Sequence, residues 1–192
     1  MTTALIVIDV QQSFAHRPYF ETDNLPAYLA AQNRLIEGFE AAGLPIVRVF
    51  HVQPDATGAD VFSLESGHVR PLEGLRNFEA ALTVHKTRHS ALVASGLDVW
   101  LTQHGIRQLV ISGIRTEQCC ETTTRHASDL GWDVIYVPEA TLTFTMKHPD
   151  GSPLTPAQIR ARTAAVLDGR FARVMDAESA LATVTEEEAA LA

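Results

Sequence analysis

Cys119 and Cys120 are adjacent in the stretch "GIRTEQCCETTTRHA" and are the only cysteines among 192 residues. Two other charged residues stand out by position. Asp9 sits near the end of the apolar run "ALIVIDV", and Lys86 closes "ALTVHK". A thiol, a carboxylate and an ammonium brought together are the parts of an activated nucleophile. The carboxylate takes the thiol proton as general base, and the cation holds the charges in place. Each residue also has a plain reading when taken alone. The Asp can cap a turn, the Lys can be a solvated loop residue, and a free Cys is most often an inert small hydrophobe. Neighbouring cysteines rarely bridge, because their side chains diverge. No C-x-x-C pattern offers zinc a thiolate site.

The elements that must position these residues alternate along the chain. Residues 4–10 form a continuous apolar run rich in β-branched side chains, the pattern of a strand buried on both faces. Leu25, Leu29, Leu35, Ile36 and Phe39 follow at helical spacing, with Pro26 in the first turn and Gly43 at the exit. Further strands are predicted over 45–52, 81–86, 107–113, 132–138 and 171–177. Helices are predicted over 92–105, 117–131 and 155–169, with a final acidic, Ala-rich helix. This alternation predicts an α/β fold with three αβα layers and a six-stranded, mostly parallel sheet in the order 3-2-1-4-5-6, as one domain over residues 1–192. Ligands bind such sheets outside the carboxyl ends of the strands, where the strand order reverses. Asp9, Lys86 and the cysteine segment all fall at that edge.

The spacing favours Cys119 over its neighbour. Successive helical positions turn by about 100°. If Ala127 and Leu130 face inward, Cys119 shares their side and Cys120 is rotated away. Thr116 reads as the N-cap of this helix, which places Cys119 in the first turn, where unpaired N–H groups favour a thiolate. The same N–H groups can form an oxyanion hole. A Thr116 cap on the Cys119 N–H would compete for that donor.

These motifs resemble the isochorismatase-like cysteine hydrolases, the group that includes nicotinamidases and N-carbamoylsarcosine amidohydrolase. The resemblance rests on "ALIVIDVQQSF", "HKTRHSAL" and "LVISGIRTEQCCETTTRHASDLGWDVIYVPEA". It implies Asp9, Lys86 and Cys119 as catalytic residues. It also implies a cis peptide between Ile114 and Arg115, which would turn the N–H groups of Arg115 and Cys119 toward one oxyanion. Gln11 and Phe14 match the family's Asp-x-Gln-x-x-Phe pattern, with Phe14 as a pocket wall. His51 is expected at a strand end near the pocket. Leu92 stands where Phe is common and implies a different pocket shape. Glu117 replaces an aspartate, and Arg115 replaces a small residue; it could meet a substrate carboxylate or pair with a neighbouring acid. The Asp-x-His metal motif of nicotinamidases is absent from "HVQPDATGADVF", so neither a metal nor nicotinamide is expected, although His51 and Asp55 are possible ligands. No cofactor is expected. The irregular stretches 53–79 and 142–153 are expected to wall the pocket, and the family's habit implies a homodimer or larger oligomer.

The function this implies is hydrolysis of a C–N bond in a small amide or carbamoyl-type substrate through a thioester. Two alternatives stand beside it: hydrolysis of an isochorismate-type ether, whose enzymes lack the cysteine, and a binding or scaffold role without turnover. A net charge of −8 argues against a nucleic-acid surface. No G-x-G-x-x-G follows the first strand, which argues against a dinucleotide site. The first residues carry no basic leader, and no apolar stretch is long enough for a membrane span, so a cytoplasmic location is expected.

Overall fold

The computed structural model describes residues 2–191 apart from 54, 56 and 57. β1 (Thr3–Ile8) lies at the centre of the sheet, and all six of its residues are buried. The sequence pattern accounts for this. Ala4, Ile6 and Ile8 face one side, against Leu97, Leu101 and Ala127, while Leu5 and Val7 face the other, against Leu35, Ile36, Phe39 and Val184. A strand covered on both faces needs apolar side chains at every position rather than at alternate ones.

The sheet also contains β2 (Ile46–His51), β3 (Leu82–Lys86), β4 (Gln108–Ile114), β5 (Asp133–Leu142) and β8 (Arg173–Val174). Its order is β3-β2-β1-β4-β5-β8, and every pairing is parallel. α1 (Leu25–Ala41) and α5 (Ala177–Ala190) contribute to the core on one face. α2 (Leu97–Gln103), α3 (Glu121–Asp129) and the end of α4 (Pro156–Leu167) contribute to the core on the other. This is the predicted three-layer α/β architecture. Chain order reverses between β1 and β4, which opens a crevice at their carboxyl ends.

The local outcomes differ from the periodicity in several places, and β5 runs on to Leu142 rather than ending at 138. α2 starts at Leu97 rather than near residue 92, because Gly96 takes a left-handed conformation and the Ser95 hydroxyl caps the Leu97 N–H at 3.2 Å. β8 is only two residues long, because the Asp176 carboxylate caps α5 through the Ser179 N–H at 2.7 Å and ends the extended segment. The 142–153 stretch, read as a loop, begins on the last residue of β5. It then holds β6 (Met146–Lys147), which pairs antiparallel with β7 (Pro153–Leu154). The helix over 117–131 begins as a π-turn, Thr116–Cys120, before α3. α4 opens as expected, with Thr155 and Gln158 in a reciprocal capping box and Pro156 in the first turn.

β4 pairs with β1 up to Gly113, which lies opposite Ile8 and has φ of 132°. A Cβ on Gly113 would lie 2.0 Å from the Ile8 carbonyl oxygen. Any side chain there forces the end of β1 outward and strains φ as well. Gly113→Ala is therefore expected to lower stability by about 3 kcal/mol or more, read as a fall in chemical-denaturation midpoint. A midpoint within error of the parent would show that the strands do not need this contact distance.

Candidate active site

Lys86 is the last residue of β3, and its side chain is fully buried, which is rare for lysine. Its Nζ lies 2.7 Å from Asp9 Oδ2 and donates to the Arg88 carbonyl at 3.0 Å and to Cys119 Sγ at 3.3 Å. His51 Nδ1 is a fourth neighbour at 3.3 Å. Asp9 follows directly on β1, with φ of 53° and no exposed surface. The left-handed conformation is tolerated by a short polar side chain, and it turns the chain sharply at the strand end. The Cys119 thiol and the Asp9 carboxyl are close enough to shift each other's titration, although, the Lys86 ion pair apart, neither Asp9 oxygen has a hydrogen-bond partner among the described residues. Three side chains 77 and 33 residues apart in sequence thus meet at the carboxyl edge of one sheet.

The electrostatics of the cluster follow from its dryness. Burial raises the Asp9 carboxyl above the ordinary carboxylate range, against the pull of Lys86. Burial alone would lower the Lys86 ammonium, but the Asp9 carboxylate beside it outweighs burial, and the ammonium is held above its usual value. Burial and then the Asp9 carboxylate push the Cys119 thiol up to about 12. The expectation of a thiol acidified by a helix start is therefore corrected. Desolvation and the adjacent carboxylate dominate, and the resting sulfur is protonated. Burial, followed by the charges of Lys86 and His89, brings the His51 imidazole down to about 4. His51 is neutral at pH 7, its Nδ1 accepts from the ammonium, and its proton belongs on Nε2. An ammonium 3.3 Å from Nδ1 also opposes a metal cation at that nitrogen.

The segment that carries the thiol is pinned from behind. The Ile114–Arg115 peptide is cis. The N–H groups of Gln118 and Cys120 both donate to the Arg115 carbonyl, each at 3.2 Å. Thr116 makes no side-chain cap. Its hydroxyl instead donates to Thr141 Oγ1 at 2.8 Å, and Tyr136 Oη donates to the Thr116 carbonyl at 3.3 Å. The competition between a Thr116 cap and an oxyanion role for the Cys119 N–H therefore does not arise. The helical register used to compare the cysteines is corrected too. Ala127 is buried, but Leu130 is 53% exposed, and the π-turn breaks the 100° progression between Cys119 and α3. Cys119 reaches the cavity, whereas Cys120 is sealed in the core.

The cavity above the cluster has a volume of about 370 Å³. Asp9, Cys119, His51 and Phe14 line it, as do His89 and Gln118. Two expected lining residues do not. Gln11 is fully buried beneath the site, where its amide donates to the His51 carbonyl at 3.0 Å and accepts the His51 N–H at 2.7 Å, tying β1 to β2. Leu92 is buried in the core cluster that also holds Ala91 and Leu97, and it does not line the cavity. Arg115 pairs with Glu117 at 3.0 Å, and both are nearly buried rather than at the surface, with the guanidinium 5.3 Å from the Tyr19 ring centroid. Of the two irregular stretches, 53–79 supplies Gln53 and Phe62, whereas 142–153 supplies no lining residue; its Phe144 backs the wall by packing on Tyr19 and Phe14.

Sequence reasoning missed His89, whose Nδ1 lies 3.8 Å from Cys119 Sγ, and Arg17 and Tyr19 at the rim. His89 lies three residues beyond Lys86 in the same motif, a signal that was present. Arg17 and Tyr19 become part of the site only because the short 3₁₀ turn Gln12–His16 redirects the chain after Phe14. A larger groove of about 640 Å³, walled by Pro45, Ala81 and Trp100, lies at the opposite ends of the strands; among the described residues it is lined by Glu40, Glu79 and His104 but by no thiol.

The parallel αβα sheet with a cavity at its carboxyl edge places the chain among the isochorismatase-fold hydrolases. The isochorismatase domain model matches residues 3–179, and the chain belongs to the isochorismatase family. It is 30% identical over 186 residues to the isochorismatase family protein YddQ of Bacillus subtilis, covering 94% of this chain and 99% of that one. The ureidoacrylate amidohydrolase RutB of Pseudomonas syringae is 26% identical over 171 residues, 72% of this chain and 70% of its own. The crystal structure of an isochorismatase from Pseudomonas putida superposes with a TM-score of 0.83 at 26% identity, covering 92% of this chain and 89% of that one.

Two measurements test the electrostatics. Lys86→Gln leaves a buried carboxyl without its cation and is expected to lower stability by about 3–5 kcal/mol, partly restored when Asp9→Asn is added. Denaturant titration of the single and double variants checks both. Unfolded histidine titrates near 6.5, whereas folded His51 titrates near 4. The unfolded chain takes the proton first, so this contribution to stability is present above pH 6.5 and is lost as pH falls toward 4. His51→Gln should flatten the decline in Tm across that window; an unchanged slope would contradict the assignment.

Proposed function

We propose that this chain is a cysteine hydrolase that cleaves the C–N bond of a small amide or carbamoyl-type substrate through a thioester. One observation carries the reading. Cys119 Sγ accepts from a buried ammonium that is itself ion-paired with the buried Asp9 carboxylate, on the floor of a cavity open to solvent. An amidohydrolase of ureidoacrylate among the relatives supports the same reaction class.

With the thiol held up to about 12, free thiolate is not the resting nucleophile. Asp9 accepts the proton as sulfur attacks the carbonyl carbon, which is general-base activation at the moment of reaction. The C–S bond forms, and the carbonyl oxygen takes up charge that the N–H groups of Arg115 and Cys119 stabilise. Asp9 returns its proton to the departing nitrogen as the C–N bond breaks. A water, deprotonated by Asp9, then cleaves the thioester and restores the thiol. Lys86 remains charged throughout and holds Asp9 and the sulfur in register.

Cys119→Ala should lower kcat by roughly a thousandfold or more, whereas Cys120→Ala should stay within a few-fold of the parent. Ammonia release across a panel of small amides is the assay, with an acyl adduct on Cys119 seen by mass spectrometry after an acid quench. Equal losses in the two variants, or a loss confined to Cys120→Ala, would overturn the proposal.

A further inference from the structure

The cavity rim carries a cation that the reaction described above does not use. Among the described lining residues, Arg17 is the one side chain with a permanent positive charge. It follows the 3₁₀ turn Gln12–His16, with its N–H donated to the Phe14 carbonyl at 2.9 Å. Its guanidinium lies over the Phe62 ring, 5.0 Å from the centroid, and Phe62 in turn packs edge-on against Phe14 at 5.1 Å. One nitrogen, Nη2, reaches Asp60 Oδ1 at 3.2 Å. That same oxygen takes the Phe62 N–H at 2.8 Å, so Asp60 is fixed by its own backbone turn and holds Arg17 against the aromatic wall.

This placement leaves much of the guanidinium available. Among the described residues, Asp60 is its only hydrogen-bond partner, and the pair is about one-third exposed on each side. An exposed pair of this kind stabilises a fold weakly. A guanidinium with five donors can keep one on Asp60 and present another edge to a second carboxylate, bidentate and coplanar. The cavity is therefore polarised along its depth. Its floor holds the thiol, where the Asp9 carboxylate and the Lys86 ammonium balance each other. Its middle is walled by Phe14, Phe62 and neutral His51. Its mouth ends in an oriented cation.

We propose that Arg17 is a specificity-determining residue that binds a carboxylate on the substrate, and that the substrate class is therefore a small amide bearing an acidic group remote from the scissile bond. This deepens the amide-hydrolase reading and rests on it for the word "substrate", although anion binding at Arg17 is measurable without turnover. Asp60 has two opposed effects: it orients the guanidinium, and its charge opposes the incoming anion. The signs of the two variants follow. Loss of Arg17 removes the preference for anions, while neutralising Asp60 with its shape kept increases that preference.

The probes are succinamate and glutaramate, each against its methyl ester, which keeps the amide and the chain length and removes the charge. Two readouts are taken on the full chain: ammonia release, and protection of Cys119 from alkylation by iodoacetamide, located by peptide mass. The parent is expected to favour at least one acid over its ester by about tenfold to a hundredfold, the range of a charge-assisted hydrogen bond. Arg17→Gln should reduce that ratio to about one, chiefly through KM and the protection constant. Arg17→Lys should retain part of it, and Asp60→Asn should widen it. The proposal is overturned if the parent shows no preference, if the preference survives Arg17→Gln, or if Asp60→Asn narrows it in step with Arg17→Gln, which would reveal a purely structural pair. Anion protection through Arg17 without ammonia release from any amide would refute the hydrolase reading and leave this inference standing. Turnover that is blind to charge would do the reverse.

Discussion

The Lys86–Asp9 ion pair sets the terms for everything around it. Both side chains are closed off from solvent, so neither charge can be hydrated, and each is tolerable only beside the other. A site of this kind has room for one negative charge and one positive charge. A resident thiolate would add a second anion to a desolvated cluster, and burial together with the Asp9 carboxylate accordingly pushes the Cys119 thiol up to about 12. A second cation is equally unwelcome, and His51, beside the ammonium, is held neutral down to about 4. Burial and the pair together set the protonation states of Cys119 and His51 before any substrate arrives.

The fold delivers this pair by exact placement of strand ends. β1, β2 and β3 are adjacent and parallel, so Asp9, His51 and Lys86 emerge at one edge within a few ångströms of one another. Parallel register makes this possible, because carboxyl ends that lie far apart in sequence finish on the same side of the sheet. β4 completes the edge from the other flank. Gly113 lets it lie against Ile8, and the π-turn beyond it presents the sulfur to the ammonium. The Thr116–Thr141 and Tyr136–Thr116 hydrogen bonds hold that turn against β5, so the position of the Cys119 sulfur depends on three strands.

Floor and rim are built differently. The floor consists of buried groups at the ends of regular strands, where a shift of one residue would break several contacts at once. The rim comes from the short 3₁₀ turn after β1 and from the 53–79 stretch, which meet through Phe14, Phe62, Arg17 and Asp60. Side chains on irregular segments can change without disturbing the ion pair below. Such a division suits a family whose members bear names as different as isochorismatase and ureidoacrylate amidohydrolase.

The alternation of buried runs and amphipathic segments was enough to define the αβα layers, because burial on both faces leaves a periodicity that local sequence must carry; the strand order, and with it the edge where Asp9, Lys86 and Cys119 gather, came from fold-level expectation and the family resemblance and agrees with the observed sheet. The one-dimensional pattern could not show that Leu92 and Gln11 lie beneath the cavity rather than on its wall, since a single left-handed residue or a short turn decides which way a side chain points. Nor could it show that Thr116 bonds across to β5 instead of capping its own helix. The acidity of the sulfur was the clearest reversal. A helix start read along the chain suggests a thiolate, but pKa is set by the full three-dimensional surroundings, and only packing decided that desolvation and a neighbouring carboxylate outweigh the local backbone.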